Sequence, residues 1–377
     1  IHYERIEMIV NKKTKIKGMG SFFVEFKGGS QVEEVGERGL SHLAEHLVCK
    51  GWDHLFPEFT SLNINFNAYT AQDKVLFYWS GLDDEITKLL ERKEGLKILT
   101  RKPTREEFDI EKKIVLQEYD DCFSDTDAVY YNFSRKYFNN YQPIGFRKDI
   151  EDITYEEMLE FIEDRFTKPT NILRIGSSKN KFTEEVTFLK NKRKSNIKYQ
   201  VNNDPSIIEY NSTTDNPRIA DWIRLEMDTR MISLVCKLWT NGLESPLKKE
   251  IREKRGLVYR LSMSGWRQGN EEQVIFDSST KNEEEVRKVF ADIISRPEEY
   301  ITPERYQNIM SCLTNSDKKN DFMNYQNYDC YMDKENYLTL DYLDKLDYDF
   351  VLSQAKIISD KFVNEIRYAS AGKELVI

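Results

Sequence analysis

Two histidines and a glutamate stand close together in LSHLAEHLVCKG, residues 40–51, with His42 and His46 four apart and Glu45 just before the second. On a helix, positions i and i+4 share one face, so both imidazoles can reach a single ion. Zinc in a catalytic site takes three protein ligands at about 2.0–2.2 Å and leaves a fourth position open for water. A carboxylate beside such a metal serves as general base: Glu45 can take the proton of the attacking water and pass it to a leaving amine. The chain holds 4 histidines in all, and two of them falling inside one His-x-x-Glu-His stretch favours a metal over an ordinary polar helix face.

A third ligand has to come from elsewhere. The stretch EKKIVLQE, residues 111–118, places Glu111 and Glu118 seven apart and therefore on the same helical face. Ile114, Val115 and Leu116 between them mark neighbouring positions as buried, which gives a glutamate beside that stripe reason to point inward. Glu118 is the expected ligand, and Glu111 the group that orients a histidine or the ligand itself.

The elements that must carry these residues are legible in outline. A strand over SFFVEF, Ser21 to Phe26, precedes the turn Gly28-Gly29-Ser30, and a helix begins near Gly39. Ile64 to Leu82 is rich in aromatic and β-branched residues and reads as strand, turn and strand. Helices are expected over Glu85–Leu99, Thr104 to about Asp121, and Thr154–Phe166. The last two open on capping boxes, Thr104 with Glu107 and Thr154 with Glu157. A polar stretch from Asn191 to Pro217 follows, and then the order recurs. A strand is expected near Trp222–Met227 and helices over Arg230–Trp239 and Ser245–Lys254. Strands over Val258–Ser264 and Glu272–Asp277 come next, then helices over Glu283–Ile294 and from Pro303 onward. Two related α+β domains account for this recurrence.

Composition sets the class around them. With 377 residues, 39% hydrophobic and 12% aromatic, the chain is long enough for two folded domains and too apolar for disorder. A formal charge of -9 argues against a nucleic-acid partner. Five cysteines without a Cys-x-x-Cys pair fit reduced thiols in the cytoplasm or another reducing, soluble compartment. No run approaches the length of a membrane helix and no export signal is visible, so no membrane association is expected; a presequence removed earlier would leave no trace here.

On these residues the chain resembles the pitrilysin, or insulinase, family of zinc metallopeptidases, the inverzincins, in the short two-domain form of mitochondrial processing peptidase subunits. The family's His-x-x-Glu-His helix matches His42 to His46, and its later Glu-x6-Glu matches Glu111 and Glu118, the latter 72 positions beyond His46. Its Asn-Ala-x-Thr strand matches Asn67, Ala68 and Thr70, and its Arg-Glu-Lys-Arg-Gly-Leu-x-Tyr segment matches Arg252 to Tyr259. Cys49 stands where an aromatic is usual and Trp52 where threonine is common. The glycine-rich stretch before the second-domain motif is reduced to Asn241-Gly242.

The resemblance implies an α+β fold of two similar domains, 1–195 and 196–377, each a mainly antiparallel sheet packed with helices. It implies one Zn2+ per chain on the first domain and endopeptidase action on unfolded or short peptides. Arg252 and Tyr259 of the second domain would hold the substrate carbonyl or the oxyanion. The strand at Phe66, Asn67, Ala68 and Thr70 would take up the peptide by β-augmentation. A homodimer, or a heterodimer with a related subunit, would bring Arg252 and Tyr259 of one chain to the zinc of the other. The family also contains catalytically silent, peptide-binding partner subunits, which generally lose a residue of the zinc set.

Overall fold

The computed structural model of the protein describes residues 8–13, 16–55, 64–91, 98–99, 101–124, 142–166, 169–177, 179, 181–182, 207–211, 218–268, 271–319, 326–332 and 336–372. The chain divides into two units. The first comprises residues 1–121, 140–198 and 321–332, and the second 122–139, 199–320 and 333–377. The expected domain boundary at 195/196 lies outside the described residues, as does most of the polar stretch around it.

In the first unit the SFFVEF run lies at the centre of a five-stranded sheet. Its strands are β1 (Met8–Lys13), β2 (Met19–Lys27), β3 (Asn65–Thr70), β4 (Lys74–Leu82) and β5 (Asn171–Gly176), in the order β1-β5-β2-β4-β3. Only β1 and β5 run parallel; the other neighbours are antiparallel. Register places Phe22, Val24 and Phe26 opposite Trp79, Phe77 and Val75, and all six are buried on one face. Against this face pack α1 (Leu40–Leu55) and α5 (Tyr155–Arg165), the latter through Phe161 and its C-cap Phe166, whose ring meets Phe26 and Phe77 edge-on. Each such side chain contributes about 1.5–3 kcal/mol by burial.

A strand in a two-layer fold shows one wet face, yet every residue from Ser21 to Phe26 is buried. The opposite face of the sheet is covered by the helix Gln326–Met332, which reaches the first unit from far along the chain. Tyr328 packs with Phe23, Leu76, Tyr78, Leu173 and Ile175. Its hydroxyl donates to Glu25 Oε2 at 2.9 Å, and Lys74 Nζ donates to Asp329 Oδ1 at 2.7 Å. Burial raises the Glu25 carboxyl above its usual range, and the bonds from Tyr328 and Asn171 counter that rise. Glu25 and Lys74 are thus answered by the added helix, with Asn171 of β5 also bonded to Glu25.

Between the strands run α2 (Asp83–Glu91), α3 (Arg105–Ser124) and the short α4 (Arg147–Asp152). The expected helix over Glu85–Leu99 begins earlier and is described only to Glu91. Its first residue, Asp83, forms a buried ion pair with Arg174 of β5. Both expected capping boxes are present: Glu107 N–H donates to Thr104 Oγ1 and Thr104 N–H to Glu107 Oε2 at 3.2 and 2.7 Å, and Thr154 and Glu157 repeat the arrangement.

The second unit repeats the plan. Its strands β6 (Ile207–Asn211), β7 (Arg218–Leu225), β8 (Leu261–Gln268), β9 (Glu271–Ser279) and β10 (Arg367–Gly372) lie in the order β6-β10-β7-β9-β8. Again the outer pair, β6 and β10, is the parallel one. Helices α6 (Thr229–Thr240), α7 (Glu283–Ile294), α8 (Pro303–Lys319) and α9 (Tyr348–Asn364) enclose a core of Ile223, Leu234, Trp239, Phe276, Phe290 and Phe362. The fold is α+β, two sheets each packed with helices. The expected α-helix over Ser245–Lys254 takes a wider π-type turn at Lys248–Glu253, where Lys254 N–H bonds to Lys249 O at 2.9 Å. Expected strand residues Val258–Arg260 belong to the loop before β8. Leu257 is held there by its N–H to Ile251 O and by Thr280 Oγ1 on its own carbonyl.

The start of α1 has no Ser, Thr or Asp cap. Instead Glu33, buried, accepts the N–H of Gly39 at 2.9 Å and of Ser41 at 2.6 Å, satisfying two of the unpaired donors of the first turn. Gly39, at φ 102, lets the chain enter here, since a Cβ would meet Ile150. Burial pushes the Glu33 carboxyl up to about 8, against the pull of those backbone donors.

Both buried glutamates can be tested by substitution. Tyr328→Phe removes one hydrogen bond to the Glu25 carboxylate and should cost about 1–3 kcal/mol in denaturant unfolding; an unchanged midpoint at equal slope would show that the contact carries no stability. Glu33 binds its proton more tightly folded than unfolded, so between pH about 4.5 and about 8 the native state holds the extra proton and stability falls as pH rises. The stability of wild type relative to Glu33→Gln should therefore decline across that window, on the order of a few kcal/mol, and a pH-independent difference would contradict the assignment.

Candidate metal centre

Helix α1 divides its faces by residue type. Leu40, Leu43, Ala44, Leu47, Val48 and Trp52 are buried against the unit's core, which turns His42, His46 and Cys49 along the other side. There α3 crosses it. His42 Nε2 lies 3.7 Å and His46 Nε2 3.6 Å from Glu118 Oε2. One ligand atom from each of the three lies within 4.8 Å of the others, the one such group of His, Cys, Asp or Glu among the described residues. Bonds of about 2.0–2.2 Å at tetrahedral angles separate ligand atoms by roughly 3.3–3.6 Å. The spacing from both imidazoles to Glu118 fits a zinc ion with little adjustment.

The electrostatics agree with that fit. His42 is largely covered, its side chain 12% exposed, and sits beside His46, their rings 4.7 Å apart; burial first, and the neighbouring imidazole second, push its pKa down to about 3. It is therefore neutral near pH 7, with a lone pair free for a metal. The remaining ring nitrogen of His46, Nδ1, lies 3.4 Å from Glu111 Oε2, and Lys50 Nζ lies 3.7 Å from Glu111 Oε1. Glu111 can so hold the ring's tautomer and orientation, as a carboxylate behind a metal-bound histidine does. His42 Nδ1 is buried and has no hydrogen-bond partner among the described residues.

Burial differs from the sequence expectation on α3. Glu111 is the inward residue, 5% exposed, whereas the Glu118 side chain keeps 45% of its surface. Val115 is fully buried, while Ile110 and Ile114 are exposed. The core stripe of α3 runs through Glu107, Phe108, Glu111, Val115 and Tyr119, so Glu118 stands at its margin and meets the histidines from the open side.

Glu45 is buried at the same place. Thr70 Oγ1 donates to its Oε2 at 2.9 Å, and Cys49 Sγ approaches its Oε1 at 4.0 Å. Burial raises its pKa; the Thr70 hydroxyl, His46 and the Thr70 N–H pull it down, and Glu118 adds to the rise. Thr70 belongs to β3, the last strand of its sheet. Phe66, two pleats away on the same side, packs with tilted rings against Trp52 of α1 and Trp79 of β4 at centroid distances of 4.9 and 4.8 Å. The side chains of Phe66 and Thr70 therefore face α1. Ala71 N–H bonds to Lys74 O, and ladder alternation then points the main-chain groups of Phe66, Ala68 and Thr70 outward along the free edge. Ala68 N–H is taken up by the side chain of exposed Asn67 at 2.8 Å.

In the second unit the Arg252 guanidinium lies 5.3 Å from the centre of the Tyr259 ring, and Tyr259 is 86% exposed. Arg252 sits within the π-type turn. The helix that corresponds to α1 in this unit, α6, carries no histidine and is buried through Met231, Ile232, Leu234, Val235, Leu238 and Trp239. Sequence reading had no signal for Lys50 or for the contact of Thr70 with Glu45, because both depend on how elements cross.

Comparison with known proteins accords with this geometry. Residues 9–144 match the family described as Insulinase (Peptidase family M16). An uncharacterized zinc protease of Rickettsia bellii is 28% identical over 262 residues, 62% of this chain, and the match spans 61% of that relative's length. The beta subunit of the mitochondrial-processing peptidase of Neurospora crassa is 23% identical over 155 residues, 38% of this chain and 32% of its own. The fold matches the crystal structure of a protease from Helicobacter pylori with a TM-score of 0.71 at 17% identity, covering 96% of each chain. No helix among the described residues is long and apolar enough to cross a membrane. The chain therefore carries an insulinase-family (peptidase family M16) domain, whose matched stretch includes the histidines, Glu45 and both α3 glutamates.

Proposed function

We propose that the protein is a zinc-dependent metalloendopeptidase that hydrolyses unfolded or short peptides, with one Zn2+ per chain held by His42, His46 and Glu118. The observation that carries this reading is the convergence of two imidazole nitrogens and a carboxylate within 4.8 Å, beside the second, buried carboxylate of Glu45. When bound, zinc supplies Lewis acidity, which polarises a carbonyl and makes water nucleophilic near neutral pH. Glu45 accepts the proton of the attacking water and returns it to the amine nitrogen as the C–N bond breaks. Glu111 orients His46. The main chain of Phe66, Ala68 and Thr70 at the edge of β3 pairs with extended peptide, and Asn67 swings off Ala68 N–H as the peptide arrives. Such pairing reads backbone and is tolerant of sequence.

A silent partner subunit is the alternative. The presence of His42, Glu45, His46 and Glu118 together speaks against it, since a silent member has no reason to keep the base as well as the ligands. Arg252 and Tyr259 donate to the substrate carbonyl or oxyanion in this scheme, and a partner chain, identical or related, receives them.

Purified protein should bind about one zinc per chain, and His42→Ala with His46→Ala should abolish it by elemental analysis. Glu45→Gln should retain the metal and lose at least ~100-fold in peptide cleavage, the scale of general-base catalysis; near-normal turnover would remove Glu45 from the role. For the shared site, a Glu45→Gln subunit mixed with an Arg252→Ala, Tyr259→Phe subunit should recover roughly a quarter of wild-type activity on random pairing in a symmetric dimer. Absence of recovery, with subunit exchange demonstrated, would place the pair in its own chain's chemistry or outside it.

A further inference from the structure

Thr70 does two things at once in this fold, and its side chain is turned away from where a bound peptide would lie. We propose that Thr70 is a positioning residue for Glu45, its hydroxyl fixing the orientation of the base carboxylate against the metal ligands. The inference rests on the reading of Glu45 as general base.

Glu45 has three rotatable bonds, and α1 alone fixes none of them for a carboxylate that lies 8% exposed. Its carboxylate is approached by Thr70 Oγ1 at 2.9 Å, by the Thr70 N–H and by Cys49 Sγ at 4.0 Å. A thiol is a weak donor, so Thr70 is the residue able to hold the group, chiefly through its hydroxyl and with its N–H beside it. Threonine suits this role because branching at Cβ restricts its χ1, so its hydroxyl is aimed by the strand backbone. That backbone is itself pinned to α1 by Phe66 packed against Trp52 and Trp79. Trp52 stands seven residues, two helical turns, beyond Glu45 on the same face of α1. One end of β3 is thus clamped by aromatic packing and the other delivers the hydroxyl. Because the same strand offers its free edge to substrate, the base and the docking edge keep a fixed separation.

The test compares Thr70→Val, which keeps the shape and loses the hydroxyl, with Thr70→Ser, which keeps the hydroxyl, at equal zinc content. Misplacement of a catalytic group by about 1 Å costs on the order of 100-fold. The expected result for Thr70→Val is therefore a ~10- to 100-fold fall in kcat with KM within about twofold, and for Thr70→Ser a return to within about threefold of wild type. A second readout uses no turnover. In the Glu45→Gln background, binding of a labelled peptide, followed by fluorescence anisotropy, should be the same with and without Thr70→Val. Where the valine variant does not fold, Thr70→Ala takes its place.

Wild-type kcat in Thr70→Val would overturn the proposal, as would an equal loss in Thr70→Ser. So would loss of zinc or weakened peptide binding in the Glu45→Gln background, which would assign Thr70 to the scaffold or to the substrate instead. Full activity of Glu45→Gln itself would remove the base and this inference together. An inactive Glu45→Gln beside an unaffected Thr70→Val removes this inference alone.

Discussion

The crossing of α1 and α3 gathers more negative charge than its own cations answer. Glu45, Glu111 and Glu118 meet two imidazoles there, one of them held neutral by burial, and Lys50 is the cation in contact, at 3.7 Å from Glu111. Two of the three carboxylates, Glu45 and Glu111, are buried, and a desolvated carboxylate is costly unless paired. A divalent ion held as proposed above would offset that cost, and the surrounding structure keeps the groups together. Glu33 anchors the first turn of α1, the leucine face of that helix seats it on the sheet, and the α3 stripe through Val115 and Tyr119 presents Glu111 inward and Glu118 at the margin.

The two sheets share one strand order, offset by five strands, yet only the first carries this cluster among the described residues. The difference sits in one helix. In α1 the positions turned from the core hold histidine, glutamate and cysteine. In α6 the same element is apolar around most of its circumference and spends its surface on packing. The second unit bears a different feature, the π-type turn that carries Arg252 beside exposed Tyr259. Wide helical turns of this kind recur at functional sites because they break the regular presentation of side chains.

Much of this was legible in the sequence where the signal is local. The His-x-x-Glu-His spacing, the seven-residue interval of Glu111 and Glu118, the capping boxes at Thr104 and Thr154 and the β3–β4 hairpin are all set by neighbours within a few positions. Strand β5 was not legible. Its run NILRIG is short, and the Arg174 within it looks like a surface residue until Asp83 is seen to neutralise it. Nor did anything near Gln326–Met332 announce that a polar, tyrosine-rich segment would cover a face of the first sheet. The exposure of Ile114 was not legible either: it looks like core by type, yet the buried stripe of α3 runs through Glu111 and Val115 beside it.

The contacts that escaped sequence reading are also those that convert a metal motif into a directed site. A His-x-x-Glu-His helix specifies ligands but leaves the glutamate free to rotate, because α-helical geometry constrains the Cα–Cβ bond and little beyond it. Direction comes from a second element at fixed distance. Here that element is an edge strand, whose twist and reach are constrained on one side by β4 and left open on the other. The open side is the one an extended peptide can complete. The same six residues therefore meet Trp52 through the Phe66 ring and Glu45 through the Thr70 hydroxyl, and leave main-chain groups free for the peptide proposed above. A change that shifted the whole β3 backbone would disturb all of these together, whereas loss of the Thr70 hydroxyl alone would free Glu45 and leave the strand in place.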